Sequence, residues 1–346
     1  MPETKFTILE QLPPSPKVLV LDLGFLGDSI HLIPALNCIH KTLPEAELHV
    51  MVADHIKGIL DVVPYVDEVL GYPRFPKGPK WYQDYQRIKG LRSAKYDLVI
   101  NLNGSDRSSI LTMLSGAPLR LGRHPRKRRW WWSHTVTHEC NCPYGQSPIY
   151  VQSVKALQGV GFAPGEPVFD VVIPGNIKNK VKEMVGDMSH YIHVSPFTTE
   201  DYKELPEALL ADFLNHIHRV HSESLVISVA PNDRERSKLQ SLLRRLTFKP
   251  DQIFDGTLSL LELAEVVDRA SIHIGGDSGA LHIALMCKKP TFAWFRQYEG
   301  LTEWMPTGSD HANVVGEAFI QGIKDISLED LERNLRLLVD KEIKLR

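Results

Sequence analysis

The stretch GGDSGALHIALMCKKPTFAWF, residues 275–295, decides the fold. An apolar run ends at two glycines, Asp277 and Ser278 follow, and a second apolar run ends at a Lys-Pro step before TFAWF. Asp and Ser at such a break are typical helix N-caps, and proline stops a helix. The pattern therefore predicts a strand, a tight turn, a helix and a second strand. Backbone amides at strand-to-helix turns bind phosphate groups, so this turn is a candidate ligand site.

The rest of the chain repeats this alternation of strands and helices. The predicted buried strands include KVLVLDLG (17–24), AELHVMVA (46–53), YDLVINLNG (96–104), HYIHVSPF (190–197) and SLVISVAP (224–231). Helical patterns separate them, which indicates parallel sheets covered on both faces. A connector rich in Pro and Gly, APGEPVFDVVIPGN, lies near residue 170. We therefore predict an α/β protein with two doubly wound Rossmann-like domains that face a central cleft.

The domain boundaries follow from the same pattern. We predict a leader at residues 1–16, a first domain at 17–170, a second domain at 171–325 and a charged amphipathic helix at 326–346.

The bulk composition of the 346 residues excludes several classes of protein. The formal net charge of −2 gives no general reason to expect nucleic acid as a partner. The four cysteines are scattered, and the Cys140–Cys142 pair has no second pair at zinc-site spacing, so we expect neither disulfides nor a metal site. The first residues lack the pattern of a secretion signal, and no apolar run is long enough to cross a bilayer. We therefore expect a cytoplasmic protein.

A Gly-Asp-Ser tripeptide occurs twice, each time where a strand gives way to a helix: Gly27-Asp28-Ser29 and Gly276-Asp277-Ser278. In doubly wound sheets, ligands bind beyond the carboxyl ends of the strands. Asp28 is there either a helix cap or a carboxylate that takes a proton from an attacking hydroxyl. Residue 29 is Ser, so the dinucleotide fingerprint G-x-G-x-x-G is not completed after Gly24.

Further turns carry groups that suit a phosphorylated ligand. Ser278, Gly279 and His282 share the start of one predicted helix, where Gly279 allows a phosphate close approach, although a lone helix histidine is as well explained by packing or solvation. Asp277 there either binds sugar hydroxyls or caps the helix. In SPFTTEDYKELP (195–206) two threonine hydroxyls and a lysine suit phosphate oxygens, although a Thr199 cap with a solvated lysine explains them as well. In VAPNDRER (229–236), Asp233 or Glu235 either binds ribose hydroxyls or complements the helix dipole.

The run Arg126-Lys127-Arg128-Arg129-Trp130-Trp131-Trp132 has no acid close to it in the sequence. Basic residues beside aromatic ones favour a polyanionic partner, either a nucleic acid, a phosphorylated glycan or a membrane. The alternative is a mobile surface loop. The net charge and the lack of a nucleic-acid module argue against the first partner.

These motifs together resemble those of the lipopolysaccharide heptosyltransferases, the ADP-heptose-dependent glycosyltransferases of family 9. The matching stretches are FLGDSIHLIPAL (25–36), TTEDYKELP (198–206) and the opening stretch, with weaker matches in VAPNDRER and LSLLELAEVVDRAS (258–271). The resemblance implies a GT-B fold, with the acceptor bound by the N-terminal domain and the donor by the C-terminal domain. It also implies a last helix that packs back toward the N-terminal domain.

The resemblance also implies roles for individual residues. Asp28 matches the catalytic carboxylate. The implied donor-binding residues are Thr198, Thr199, Lys203, Asp233, Leu258, Asp277, Ser278, Gly279 and His282. Four basic residues fit the acceptor surface by position and chemistry, namely Arg123, Arg126, Arg128 and Arg129. No cofactor or metal is expected.

The predicted function is inverting transfer of a heptose or related sugar from ADP-heptose, or a similar nucleotide-sugar, to a lipopolysaccharide core or other surface glycan. The expected acceptor is an anionic glycolipid or glycan, with peripheral contact at the inner membrane face and no nucleic acid. Two alternatives use the same fold, a nucleotide-sugar epimerase and a non-catalytic nucleotide-sugar-binding protein. The basic aromatic run argues against the first, and Asp28, Lys203 and Asp277 together argue against the second.

Overall fold

A computed structural model describes residues 7–73, 81–186, 188, 190–319 and 322–345 of the chain. The chain divides into two units, Met1–Val172 and Ile173–Arg346. Each unit is built around a largely parallel sheet flanked by helices, so the predicted α/β class is confirmed.

Among its described residues, the first unit contains six parallel strands and four α-helices. The strands are β1 (Lys17–Leu21), β2 (Glu47–Ala53), β3 (Glu68–Tyr72), β4 (Leu98–Asn101), β5 (Leu119–Arg123) and β6 (His138–Cys140), and the helices are α1 (Leu26–Thr42), α2 (Trp81–Ala94), α3 (Asp106–Leu114) and α4 (Ile149–Gln158). The strand order is β3-β2-β1-β4-β5-β6. Residues 18–21 of the central strand β1 are all buried, which is why this strand reads as a continuous apolar run.

The second unit contains a seven-stranded sheet in the order β13-β12-β11-β10-β7-β8-β9. Its strands are β7 (Tyr191–Ser195), β8 (Ser224–Val229), β9 (Gln252–Asp255), β10 (Ile272–Gly276), β11 (Thr291–Arg296), β12 (His311–Phe319) and β13 (Gly322–Lys324). Its helices are α5 (Gly175–Val185), α6 (Glu207–Val220), α7 (Asp233–Leu243), α8 (Leu260–Arg269), α9 (Gly279–Met286) and α10 (Leu328–Leu345). All described strand pairs are parallel except β12 with β13.

In both sheets the order in which the chain adds strands reverses beside the first strand of the unit. In the first unit the chain starts at β1, builds outward to β3 and returns to the other side of β1 with β4. In the second unit it starts at β7, builds outward to β9 and returns beside β7 with β10. Such a switch point leaves a crevice at the carboxyl ends of the two central strands, where open α/β sheets bind ligands. The loops after β1, β4, β7 and β10 therefore lie where a ligand site is expected.

The last helix packs within its own unit. Leu331, Leu335 and Leu338 of α10 belong to the same buried cluster as residues of β7, β8, β11 and α6. The leucines are three or four residues apart and so share one helix face. The predicted packing of this helix toward the N-terminal domain stays a prediction.

The segment 119–140, which contains the basic and aromatic run, includes two strands. Leu119–Arg123 form β5 and His138–Cys140 form β6, with a short 3₁₀ helix at Trp132–Thr135 between them. The segment that follows β2 is a 3₁₀ helix, Asp54–Val62. Basic and aromatic residues hide the β5 pattern because they dominate the sequence that follows it.

Candidate functional site

Asp28 lies in the first turn of α1 and caps its own helix. Its Oδ2 accepts a hydrogen bond of 2.7 Å from the backbone N–H of Phe25, the N-cap residue. The carboxylate is half-buried. In the structure Asp28 therefore acts as a helix cap. This hydrogen bond holds its side chain at the carboxyl end of β1. A carboxylate has two oxygens and several acceptor sites, so capping through Oδ2 is compatible with a second role.

Gly24 makes room for this carboxylate. A Cβ atom at position 24 would lie 2.3 Å from Cβ and 2.5 Å from Oδ2 of Asp28. No real side chain tolerates such a distance, so only glycine allows the loop after β1 to close over Asp28. The glycine of LDLG thus serves Asp28 rather than a dinucleotide turn.

Two polar residues from neighbouring strands brace the same loop. Asp22, buried just after β1, accepts hydrogen bonds through Oδ1 from the Gly24 N–H at 2.8 Å and from Nδ2 of Asn103 at 3.1 Å. Asn103 follows β4, on the other side of the switch point. Sequence reasoning did not single out either residue. The available signal was a polar residue at the end of each apolar run, in LDLG and in NLNG.

In the second unit, an ion pair joins the two loops of the switch point. Lys203 follows β7 and Asp277 follows β10, and Nζ of Lys203 donates to Oδ2 of Asp277 at 2.7 Å. The side chain of Asp277 is 8% exposed and that of Lys203 is 29% exposed. Without this pair, the Asp277 carboxylate would repel a phosphorylated ligand at the turn. The Lys203 ammonium neutralises Asp277, and an ammonium has three donors, so two remain for other acceptors.

The N-terminus of α9 begins directly after this ion pair. Ser278 is the N-cap residue, and within the described part of the chain no side chain caps this helix end. The Oγ of Ser278 is buried and has no hydrogen-bond partner among the described residues. Unpaired first-turn amides, a hydroxyl and the positive end of the helix dipole form an arrangement that attracts anions.

His282 lies one turn into α9 and faces Asp277, with 4.0 Å between its Nε2 and Oδ1. It is buried, and its ring makes an edge contact with Trp304 at 5.6 Å between centroids. Burial lowers the pKa of His282 to about 4, although Asp277 opposes the shift. His282 is therefore a neutral imidazole at pH 7, able to take part in hydrogen bonds without adding charge.

The two threonines after β7 have different environments. Thr199 is exposed, whereas Thr198 is 1% exposed and donates its hydroxyl to the carbonyl of Glu200 at 2.8 Å. Of the two predicted phosphate contacts, only Thr199 has an accessible hydroxyl. Thr198 holds the turn that presents Thr199 and Lys203.

Asp233 and Leu258 lie further along the same sheet edge. Asp233 begins α7 after β8, and its side chain is fully exposed beside Arg236. Glu235, the other candidate in this turn, is buried and caps the helix entry by accepting from Ala230 N–H at 2.8 Å. Leu258 follows β9 and is half-buried against a core cluster. The strand order β10-β7-β8-β9 therefore lines up the four predicted donor-binding loops on neighbouring strand ends.

The predicted acceptor arginines divide into a buried residue and an exposed group. Arg123 ends β5 and is 1% exposed, with its guanidinium bonded to Oε1 of Gln152 at 2.6 Å and 4.1 Å from the ring of Tyr144. Burial lowers the pKa of Arg123. This corrects the surface position expected for Arg123 from its basic neighbours, because β5 carries the side chain into the interior.

Arg126, Arg128 and Arg129 are exposed. The fold supplies the acids that the local sequence lacks, since Arg128 pairs with Glu139 at 3.0 Å and Arg129 with Asp106 at 3.1 Å. Trp132 is buried, but Trp130 is 86% exposed. The run therefore presents an exposed tryptophan among tethered arginines.

Comparison with known proteins identifies the family. The model of glycosyltransferase family 9 (heptosyltransferase) matches residues 85–321, more than half of the chain. The chain belongs to glycosyltransferase family 9. It is 22% identical to lipopolysaccharide heptosyltransferase 3 of Escherichia coli over 276 residues, which cover 78% of this chain and 81% of the relative.

The solved structures agree on the fold of this glycosyltransferase. The E. coli ADP-heptose lps heptosyltransferase II matches with a TM-score of 0.75 and 16% identity, over 94% of this chain and 99% of that one. E. coli heptosyltransferase WaaC with ADP matches with a TM-score of 0.70 and 16% identity, over 94% and 98%. The GT-B fold class predicted from sequence is confirmed.

Family membership makes glycosyl transfer the activity of this enzyme and disfavours the epimerase and the non-catalytic alternatives. Among its described residues, the glycosyltransferase has no group of three or more His, Cys, Asp or Glu side chains arranged to hold a metal ion. No helix in the described ranges is long and apolar enough to span a membrane.

Proposed function

We propose that this glycosyltransferase moves a heptose from ADP-heptose to a lipopolysaccharide core or another surface glycan, with inversion at the anomeric carbon. The observation that carries the proposal is the Lys203–Asp277 ion pair beside the uncapped start of α9, at the switch point of the second sheet. The relatives named as lipopolysaccharide heptosyltransferases, and the one solved with ADP, support the choice of sugar and nucleotide.

The diphosphate is bound where cationic and amide donors converge. Lys203 keeps one hydrogen bond to Asp277 and directs its remaining donors at phosphate oxygens, while Ser278 and the amide of Gly279 donate from the helix start. Thr199 adds a hydroxyl. These groups stabilise the charge that builds up on the departing diphosphate, and electrostatic stabilisation of this kind is the largest contribution to catalysis in many enzymes.

The nucleoside extends along the sheet edge toward β9. Asp233, fully exposed at the start of α7, accepts hydrogen bonds from ribose hydroxyls, and Leu258 supplies an apolar contact for the base. Asp277 and the neutral His282 remain near the anomeric end, where they hydrogen-bond sugar hydroxyls.

Asp28 acts as the general base. The acceptor hydroxyl gives its proton to the Asp28 carboxylate as its oxygen bonds to the anomeric carbon, and the bond from that carbon to the diphosphate oxygen breaks. ADP leaves with the bonding electrons. Attack from the face opposite the leaving group inverts the anomeric centre, so one enzymatic base is sufficient.

The acceptor is an anionic glycolipid that meets the exposed arginines Arg126, Arg128 and Arg129. Residues 105–139 contain seven basic and two acidic residues, a formal charge of +5 in a chain whose total is −2. This charge and the exposed Trp130 support contact with the inner face of the cytoplasmic membrane. Arg123 is buried at the end of β5, so it stabilises the fold beneath this surface and does not contact the acceptor.

The test is a transfer assay with ADP-heptose and a truncated lipopolysaccharide acceptor, in which the product anomer is read by NMR. Wild type is expected to give one inverted product, and Asp28→Asn to lower kcat by about 10²-fold or more, since a general base contributes on that order. Asn keeps an acceptor oxygen for the Phe25 amide, so α1 remains capped. A product with retained configuration at the anomeric carbon, or full activity in Asp28→Asn, would refute the assignment of Asp28 as the general base.

A further inference from the structure

A network of charged side chains holds the loop that carries Lys203, the β7–α6 loop (residues 196–206). At its centre is Glu204, whose side chain is 7% exposed. Its carboxylate accepts hydrogen bonds from the Thr198 N–H at 2.9 Å, from Arg234 Nη2 at 2.7 Å and from Lys238 Nζ at 2.6 Å. A buried carboxylate is costly unless it is paired, and three donors here satisfy it.

Arg234 joins both ends of this loop. Besides Glu204, its Nη1 donates to the carbonyl of Thr198 at 2.7 Å and its Nε donates to Oδ1 of Asp201 at 3.1 Å. The planar guanidinium presents donors in a fixed fork, so one side chain sets the spacing of residues 198, 201 and 204. Lys203 lies within this span, one residue before Glu204.

Arg234 and Lys238, the two cations that hold the loop, both belong to α7, the helix that begins with Asp233. Arg234 follows Asp233 directly, and Lys238 lies four residues later on the same helix face. Burial opposes the charge of Lys238, but hydrogen bonds to Asp201 and Glu204 outweigh it and raise its pKa. Both cations are therefore permanent at neutral pH. The helix that starts at the predicted ribose contact is thus tied to the loop of the predicted diphosphate contact.

We infer that Arg234 is a positioning residue that, together with Lys238, sets Lys203 for the diphosphate and couples the nucleoside end of the donor site to its phosphate end. The inference rests on the proposed donor site. Arg234 acts through the β7–α6 loop and not by touching the donor.

The test compares ADP, which contains the diphosphate, with adenosine, which lacks phosphate. Calorimetry for ADP and ligand-observed NMR for adenosine are applied to wild type, Arg234→Ala, Lys203→Ala and the double variant. We expect Arg234→Ala to weaken ADP about tenfold and to leave adenosine unchanged. We also expect it to add little in the Lys203→Ala background, because two residues that act through one contact are not additive.

Two further variants keep the test decisive. Arg234→Lys retains a cation for Glu204 but cannot span Thr198 and Asp201, so it should fold and still lose several-fold in ADP affinity. Arg244→Ala is the matched control, since Arg244 lies at the far end of α7 and its Nε bonds to the Gln240 carbonyl of the same helix. It should bind ADP like wild type.

Three results would overturn the inference: wild-type ADP affinity in Arg234→Ala and Arg234→Lys, equal losses for ADP and adenosine, or additive losses with Lys203→Ala. If wild type itself binds no ADP, the proposed donor site fails and the inference fails with it. ADP binding that depends on Lys203 but not on Arg234 removes the inference alone.

Discussion

Burial keeps three histidines of the second unit uncharged at neutral pH. It lowers the pKa of His193 to about 3 and that of His282 to about 4, and it places the pKa of His273 well below its ordinary value of 6.5. His193 and His273 are opposite each other on β7 and β10, with 2.8 Å between their Nδ1 atoms. Each of the three rings takes up a proton more readily in the unfolded chain than in the folded one.

This predicts a loss of stability in mild acid. At His282 the unfolded state binds a proton near pH 6.5 and the native state only near pH 4, so the free energy of unfolding falls as pH drops through that window. By pH 5 the loss at His282 is about 2 kcal/mol relative to slightly alkaline pH, and the lowered pKa values of His193 and His273 add losses of the same sign. Denaturant unfolding at pH 8 and pH 5 should show His282→Gln losing about 2 kcal/mol less than wild type. Equal losses in both proteins would mean that His282 titrates normally when folded.

The sequence supplied candidate site residues but not their partners in the fold. Asp28, Lys203 and Asp277 stand out because polar residues at strand-to-helix turns are rare in otherwise apolar runs. The Lys203–Asp277 pair spans 74 residues of sequence, and the network on Glu204 spans about half that, so no local pattern reveals either contact. The burial of Arg123 and Thr198 likewise depends on strands and turns that the sequence does not bring together.

At the scale of elements, the end of β10 depends on close packing at Gly276. A Cβ atom there would lie 2.8 Å from Nε1 of the buried Trp294 and 3.0 Å from Cγ2 of Thr198. We expect Gly276→Ala to cost about 1–3 kcal/mol through overpacking, to lower the thermal midpoint and to weaken ADP binding by displacing the β7–α6 loop.

The matched control for that substitution is Gly90→Ala in α2, where a Cβ would meet nothing within 4 Å. Alanine in place of a helical glycine should stabilise the first unit by about 0.5–1 kcal/mol and leave ADP affinity unchanged. If Gly276→Ala behaved like Gly90→Ala, the packing of β10 against the Thr198 turn would not matter for the site.

Whole elements were predictable where hydrophobicity is continuous, as in β1, β4, β7, β8 and β10. The strand β5 escaped prediction because arginines occupy two of its five positions, and its burial comes from β4 and β6 on either side. Strand order also escaped, since it is set by pairing between segments up to about 80 residues apart. The strand order nevertheless places the loops of Lys203 and Asp277 at the switch point of the second sheet.

At the scale of the whole molecule, charge is unevenly distributed. Outside residues 105–139 the chain is acidic, and inside them it is basic with Trp130 exposed. We expect the protein to co-sediment with vesicles of anionic phospholipid, less with zwitterionic ones, and to lose binding as salt rises.

Trp130→Ser should weaken vesicle binding by roughly fivefold or more, since an interfacial tryptophan anchors a basic surface. Phe319→Ser removes an aromatic side chain of the second unit that is 50% exposed, and it should leave vesicle binding unchanged. Vesicle binding that depends neither on lipid charge nor on Trp130 would contradict membrane contact through residues 105–139.

The central claim is a donor site for an adenine nucleotide-sugar around Lys203 and Asp277, and calorimetric titration tests it most directly. ADP, ADP-heptose, UDP and a UDP-sugar are titrated into wild type and Lys203→Ala. The account predicts selective binding of the two adenine ligands and a loss of about tenfold or more in Lys203→Ala, equivalent to about 1.4 kcal/mol. Preference for the uridine ligands, or adenine binding that does not depend on Lys203, would contradict it.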